Sequence, residues 1–197
     1  MELKLHTAAV EILNVIRPTV AVCVFQVFVV HAIQKHPECR EKLNADPVYL
    51  HAFVQEVRRF YPFFPGLMAF VAETFKWKGY EFPKDTLVVI DIHGTNHDQR
   101  SFEDPETFRP ERFLKFDTGA NAFSFIPQGG GDPNVHHRCA GEMITLDLMK
   151  LTARFFSTKV SFQIQNSSSL EIDVTRVPAL PKGGLVIKNV RFHFLGS

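Results

Sequence analysis

The side chains best placed to do chemistry fall into a few short stretches of the sequence. Cys139 ends the glycine-rich loop "PQGGGDPNVHHRC" and stands directly ahead of an apolar helical run. Glycines free the backbone to aim N–H groups at one acceptor. The start of the helix that follows adds positive dipole potential beside the sulfur. Both effects favour thiolate over thiol. A thiolate so placed is a nucleophile or a metal ligand, whereas inert packing or a disulfide would need neither effect. The nucleophile reading needs a base, and His136 and His137 are close in sequence. Glu56 and Arg59 lie three apart in "QEVRR", so they project from one helix face. As an exposed pair they would contribute about 1 kcal/mol or less. "FRPERF" adds Arg109 and Arg112. A buried carboxylate bridging two guanidiniums would pin a helix to an irregular segment. Arg17 sits in the apolar "LNVIRPTVAV". It either snorkels to water or faces an enclosed space and needs an anion, since breaking a buried ion pair costs about 3–5 kcal/mol. Glu11, nearly two turns away, or a carboxylate ligand would supply that anion.

These groups must be held by elements that the local patterns predict. Residues 7–35 read as one long helix, apolar on most sides after Val15, with Pro18 removing a hydrogen bond and kinking it. "HPECREKLNA" reads as a short helix. A further helix begins at "DPVYL", capped by Asp46 with Pro47 in its first turn, and ends before Pro62 and Pro65. From Leu67 the runs are β-rich, broken at Lys78-Gly79 and at Pro83-Lys84-Asp85, which predicts short strands and a hairpin. "HGTNHDQRSFEDPETFRPERF" is polar and turn-rich, with one or two helical turns. "EMITLDLMKLTARFF" has helical periodicity that places Met143, Leu146, Met149, Ala153 and Phe156 on one face. The tail from Lys159 reads as strands with turns at "NSSS" and "PKGG". The expected class is mainly α with small β-sheets (α+β).

Composition bounds the function. The chain has 197 residues, 45% hydrophobic, with a net charge of +1 from 22 basic and 21 acidic residues. A core is affordable by composition, and with no Lys/Arg-rich block a nucleic-acid partner is excluded. Twenty phenylalanines against three tyrosines and one tryptophan suit a large apolar interior, or an apolar pocket. Three cysteines with no C-x-x-C pair indicate neither a disulfide framework nor a zinc finger, and point to a reducing, cytoplasmic location. The first residues lack a signal-peptide pattern. The longest apolar run, 18–33, contains Gln26 and His31 and is shorter than the roughly 20 residues of a spanning helix, so no obligatory membrane span is expected.

Glu56-x-x-Arg59, then "FRPERF", then a glycine-rich loop ending "HRCAGE" ahead of a helix resemble, in this order and spacing, the cytochrome P450 superfamily. The resemblance covers essentially the whole chain but only the C-terminal half of that family's fold. It implies that residues 1–197 are the C-terminal part of a haem-thiolate domain whose N-terminal half is absent. It implies haem b (iron protoporphyrin IX) with Cys139 as the proximal thiolate ligand of its iron, and thiolate donation favours O–O cleavage. It also implies that Glu56, Arg59 and Arg112 form a buried structural ion-pair cluster. Without the other half, the long helix would expose a wide apolar face that invites association.

Two departures narrow the resemblance. Most of the superfamily carries an acid followed by threonine on the long helix, where this chain has Arg17-Pro18, and the cysteine loop is longer than usual. Both features are similar to the fatty-acid peroxygenase branch (alpha/beta-hydroxylase type), which uses hydrogen peroxide and requires no reductase. That likeness implies a fatty acid substrate, hydroxylated or decarboxylated near its carboxylate. Arg17 would anchor the carboxylate and Pro18 shape the kink above the iron. Gln128, Gly129, Gly130 and Gly131 would line the proximal loop. Arg138 and His93 would contact the haem propionates, and Phe63, Phe64, Pro65 and Gly66 would border the substrate channel. A reductase-dependent monooxygenase and a non-catalytic haem-binding fragment are the alternatives.

Overall fold

The computed structural model describes residues 4–165 and 170–193. The turn expected at "NSSS" falls at 166–169, outside the described residues. Five α-helices and four small antiparallel sheets follow in the order expected.

Helix α1 spans Leu5–Lys35 and continues through Pro18 without a break. Pro18 has no N–H to offer the carbonyl of Asn14. One residue on, the Thr19 hydroxyl donates to the carbonyl of Val15 at 2.7 Å. The two halves of α1 have opposite environments. Residues 24–33 include Val24, Phe28, Val29 and Ile33 in the core, while residues 9–20 are exposed throughout, among them Ile12, Leu13, Val15 and Val20. The reading of a helix wholly buried in a core therefore holds for its C-terminal half alone. The apolar stretch also runs longer than the 18–33 window suggested, because helix geometry is continuous from Leu5. α1 is long and apolar enough to cross a membrane.

Short helix α2 (Cys39–Ala45) leads into α3 (Pro47–Phe60). Asp46 caps α3 by accepting the Val48 N–H at 2.8 Å, and Pro47 occupies the first turn, where a missing N–H has no cost. Helix α5 (Glu142–Arg154) packs Leu146, Met149 and Ala153 against α1 and α3. Met143, expected on the same face, is 68% exposed. The inward position of the first turn is taken by Glu142, drawn there by two arginines described below. A π-helical turn, Phe155–Lys159, follows.

Strands β1 (Gly66–Phe70) and β4 (Leu87–Asp91) pair antiparallel, enclosing the hairpin of β2 (Phe75–Trp77) and β3 (Tyr80–Phe82). The hairpin turns at Lys78 and Gly79, with φ of 48° and 82°. Two positive φ angles match the strand twist across a two-residue turn. Strands β5 (Val160–Ile164) and β8 (Ile187–Phe192) pair across a bulge, and β6 (Ile172–Asp173) pairs with β7 (Leu180–Pro181). Between β4 and α5 lie α4 (Ile92–Asn96), a 3-10 turn (Pro110–Leu114) and irregular backbone. Phe102, Phe113 and Phe125 form a second apolar cluster with Ala52 beneath that segment.

Buried histidines make the fold sensitive to acid. His31 lies between the Tyr61 hydroxyl and the Leu170 carbonyl, each 2.7 Å away. The carbonyl only accepts, so Nε2 carries the proton and Nδ1 accepts from Tyr61, which fully satisfies a neutral ring. Burial holds the pKa of His31, and those of His51 and His93, below the ordinary 6.5. Burial and the neighbouring His93 push His97 down to about 4. These rings stay neutral in the fold and protonate in the unfolded chain. Their contribution is complete above pH 6.5 and is lost as the pH falls through the folded values toward about 4. Denaturation midpoints are expected to be flat from pH 8 to 7 and to drop steadily between pH 6.5 and 4. A flat profile across that window would contradict this protonation scheme.

Candidate active site

One cleft of about 660 Å³ brings the sequence's two distant candidates together: Arg17 and Pro18 on α1, and Cys139 at the end of the glycine loop. Its remaining wall is mostly apolar, from Phe25, Phe63, Phe64, Ile144 and Leu148, with Gln128 and Thr145 at the loop side. The volume lies in the range of small-molecule sites.

The loop is held by its own backbone. The Cys139 N–H donates to the Gln128 carbonyl at 2.9 Å, and the Gly131 N–H to the Ala122 carbonyl at 2.8 Å. The amides of Gly129 and Arg138 likewise close on Ile126 and His136. The nest of amides converging on one acceptor is therefore not formed by these groups. Gly129 has φ +94°, and a Cβ there would fall 2.0 Å from the His137 carbonyl oxygen, so no other residue fits.

This geometry sorts the readings of Cys139. Its side chain is exposed on the cleft, which removes inert packing, and all three cysteines are free thiols, which removes a disulfide. His136 Nδ1 accepts the Asp132 N–H at 2.9 Å, and neither His136 nor His137 lines the cleft, so the nucleophile reading lacks its base. A ligand role remains. Among the described residues no three His, Cys, Asp or Glu side chains converge to hold a bare metal ion. Cys139 is a single soft donor on a mostly apolar cleft.

The structure also brings Glu56, Arg59 and Arg112 together. Glu56 is fully buried and accepts from Arg59 Nε and Nη2 at 2.7 and 2.8 Å and from Arg112 Nε at 3.2 Å. The contribution of Arg109 is its backbone N–H, 2.8 Å from Glu56, while its guanidinium pairs with Glu103. The cluster reaches the loop through Asn96, which sequence reasoning missed. Arg59 Nη1 donates to the Asn96 carbonyl at 3.1 Å, and Asn96 Oδ1 accepts the Ile126 N–H at 2.9 Å, two residues before Gln128.

Other expected site residues sit elsewhere. The guanidinium of Arg138, expected at a haem propionate, donates to Glu142 at 3.0 Å and to the Gly131 carbonyl at 3.3 Å, and it does not line the cleft. His93 is half-buried outside the cleft, its ring centroid 4.1 Å from that of His97 and tilted 47° to it, with its Nδ1 buried and unpartnered. Phe63 and Phe64 border the cleft as expected, but Pro65 and Gly66 do not. The Pro65 carbonyl accepts the N–H groups of Ile92 and His93, and Gly66 opens β1 where a Cβ would lie 3.0 Å from the Ile90 carbonyl oxygen. Gly129, Gly130 and Gly131 shape the loop behind Cys139 without lining the cleft themselves. Arg17 has no hydrogen bond or ion pair to another described residue, Glu11 included.

A family model described as "Cytochrome P450" matches residues 29–176. Among curated proteins, flavonoid-6-hydroxylase of Ocimum basilicum is 33% identical over 155 residues, covering 68% of this chain and 28% of that protein. Cytochrome P450 3A11 of Mus musculus is 27% identical over 183 residues, covering 83% and 36%. Among solved structures, cytochrome P450SP alpha in complex with (R)-ibuprophen superposes with a TM-score of 0.88 at 48% identity, over 96% of this chain and 46% of that one. Cytochrome P450EX alpha with myristic acid gives 0.88 at 39% identity, over 98% and 46%. The chain thus spans just under half of these solved chains and about a third of the curated relatives.

Proposed function

The chain belongs to the cytochrome P450 family, and on that premise we propose that residues 1–197 are the C-terminal part of a haem-thiolate peroxygenase that oxidises fatty acids near the carboxylate using hydrogen peroxide. One observation carries this reading. The cleft above Cys139 holds a single cation, Arg17, with no anion beside it among the described residues, and its described lining contains no carboxylate or imidazole.

The residues present fit haem. Cys139 would hold the iron, and Phe25, Phe63, Ile144 and Leu148 would supply apolar walls for the porphyrin. When bound, haem supplies the oxidising chemistry, and thiolate donation favours cleavage of the peroxide O–O bond. The protein's part is binding and placement. The Thr19 hydroxyl donates to the Val15 carbonyl, so it is engaged within the helix. With no titratable acid on the lining, the group that holds and moves a proton is the substrate carboxylate, anchored by Arg17. Activation then waits for the correct ligand, because the substrate supplies what the protein lacks. Relatives solved with myristic acid and with (R)-ibuprophen, both carboxylic acids, support this reading by analogy.

Arg17→Ala is expected to weaken myristate binding to the haem-loaded protein by about 10- to 150-fold, the equivalent of about 1.5–3 kcal/mol for hydrogen bonds to a charged group. Haem uptake should be unchanged, and Arg17→Lys should recover part of the affinity. Equal affinity in the alanine variant would remove the carboxylate anchor. Turnover that requires an electron donor and fails with peroxide would favour the reductase-dependent reading.

A further inference from the structure

A second buried charge cluster lies beside Cys139, and neither the sequence motifs nor the proposed chemistry uses it. Arg58, on α3, is 1% exposed. Its Nη1 donates to Gln55 Oε1 at 2.6 Å, and its guanidinium lies 5.5 Å above the Phe125 ring. Its Nη2 donates to Glu142, the first residue of α5, and its Nε is buried with no partner. Glu142 also receives Arg138. Arg138 directly precedes Cys139 in sequence and Glu142 lies three residues after it, so the pair flanks the cysteine.

Two guanidiniums share this carboxylate, and they differ: Arg58 is fully buried, whereas Arg138 is partly exposed and also feels the charge of Asp132. Burial pulls the pKa of Arg58 below its ordinary range, while the charges of Glu142 and Cys139 act to raise it. Burial alone would raise that of Glu142, yet the hydrogen bonds from Arg138 and the charge of Arg58 hold it below the usual carboxylate range. The backbone N–H of Glu142 donates to the Cys139 carbonyl at 3.2 Å, so this cluster holds the turn that carries Cys139.

We propose that Arg58 is a positioning residue for the proximal ligand: with Glu142 and Arg138 it clamps the turn carrying Cys139 and sets a buried positive charge behind it. This rests on the reading of Cys139 as haem ligand. A buried cation near the ligand would favour added negative charge at a bound haem. Removing it makes reduction harder, whereas removing the Glu142 carboxylate makes reduction easier.

The test is the midpoint reduction potential of the haem-loaded full chain. Arg58→Met should shift it to more negative values and Glu142→Gln to more positive values, with Arg58→Lys returning close to the parent. A merely structural clamp would loosen the turn in both variants and move both potentials the same way. Shifts of the same sign, or none, overturn the proposal. If Arg58→Met does not fold by circular dichroism, Glu142→Gln and Arg58→Lys still decide it: a potential that does not rise in the first, or that departs from the parent in the second, overturns it. The reduced carbonyl spectrum of the parent separates the premise from the inference. No haem uptake, or no thiolate-type band, refutes the ligand reading and this proposal with it. A thiolate band with unmoved variants refutes the proposal alone.

Discussion

Replacing Cys139 with serine is expected to abolish the red-shifted thiolate-type band of the reduced, carbon monoxide-bound protein completely, and peroxide-driven turnover with it. A hydroxyl is neither deprotonated nor soft enough to replace a thiolate as the axial ligand. The fold should be almost unaffected. Cys139 is exposed on the cleft, and the hydrogen bond that orders its turn is made by its backbone N–H to Gln128, which serine retains. A surface change of this kind alters stability by about 0.5 kcal/mol or less. The other cysteines are internal controls. Cys23 is exposed on α1 but does not line the cleft. Cys39 is buried, accepts the Tyr49 hydroxyl at 3.3 Å, and burial pushes its thiol pKa up, away from ligand chemistry. Cys23→Ser should keep the band. A band that survives Cys139→Ser, or disappears with Cys23→Ser, would assign the ligand wrongly here.

Glu56→Ala should destabilise the protein by about 3–5 kcal/mol, a large share of the roughly 5–15 kcal/mol that holds a domain together. The mutation removes the one carboxylate facing Arg59 and Arg112 and also unpairs the Arg109 backbone N–H. Both guanidiniums are all but buried, so water cannot take over. Arg59 would keep carbonyl partners at Asn96 and Thr107, and Arg112 at Glu103 and Thr107, which moderates the loss without neutralising either charge. Lys182→Ala, which breaks an exposed pair with Glu171, provides the contrast at about 1 kcal/mol or less. Urea denaturation of the two variants measures this difference directly. A Glu56→Ala midpoint within error of the Lys182→Ala midpoint would mean that the cluster is not what pins α3 to the segment 103–112.

Much of the path to these predictions was legible before any coordinates. Asp46-Pro47 announced the start of α3, and Pro62 its end, because a cap and a missing N–H act within a few residues. Glu56 and Arg59 share a helix face at any tertiary arrangement, since i and i+3 always meet. Less legible was the partner of each charge. "QEVRRF" contains two adjacent arginines, and spacing alone favours Arg59 for Glu56 while saying nothing of Arg58. Its partner, Glu142, is far along the chain. The doubled arginine and a glutamate three residues past the cysteine were the available signals. Met143 failed for the same reason: periodicity placed it on the apolar face, but the two arginines turned Glu142 inward at the first turn of α5 instead.

By itself the sequence determined the helices and strands, the family likeness and the chemical identity of the candidate ligand, because propensities, caps and motif spacing are local properties of the chain. The tertiary structure alone decided that Arg17 and Cys139 share one cleft, that Arg17 has no anion beside it among the described residues, and that Arg138 pairs with Glu142. Those outcomes depend on distances between elements far apart in sequence. Charge pairing and cleft formation are set by such distances and by the exclusion of water, which only the packed chain establishes.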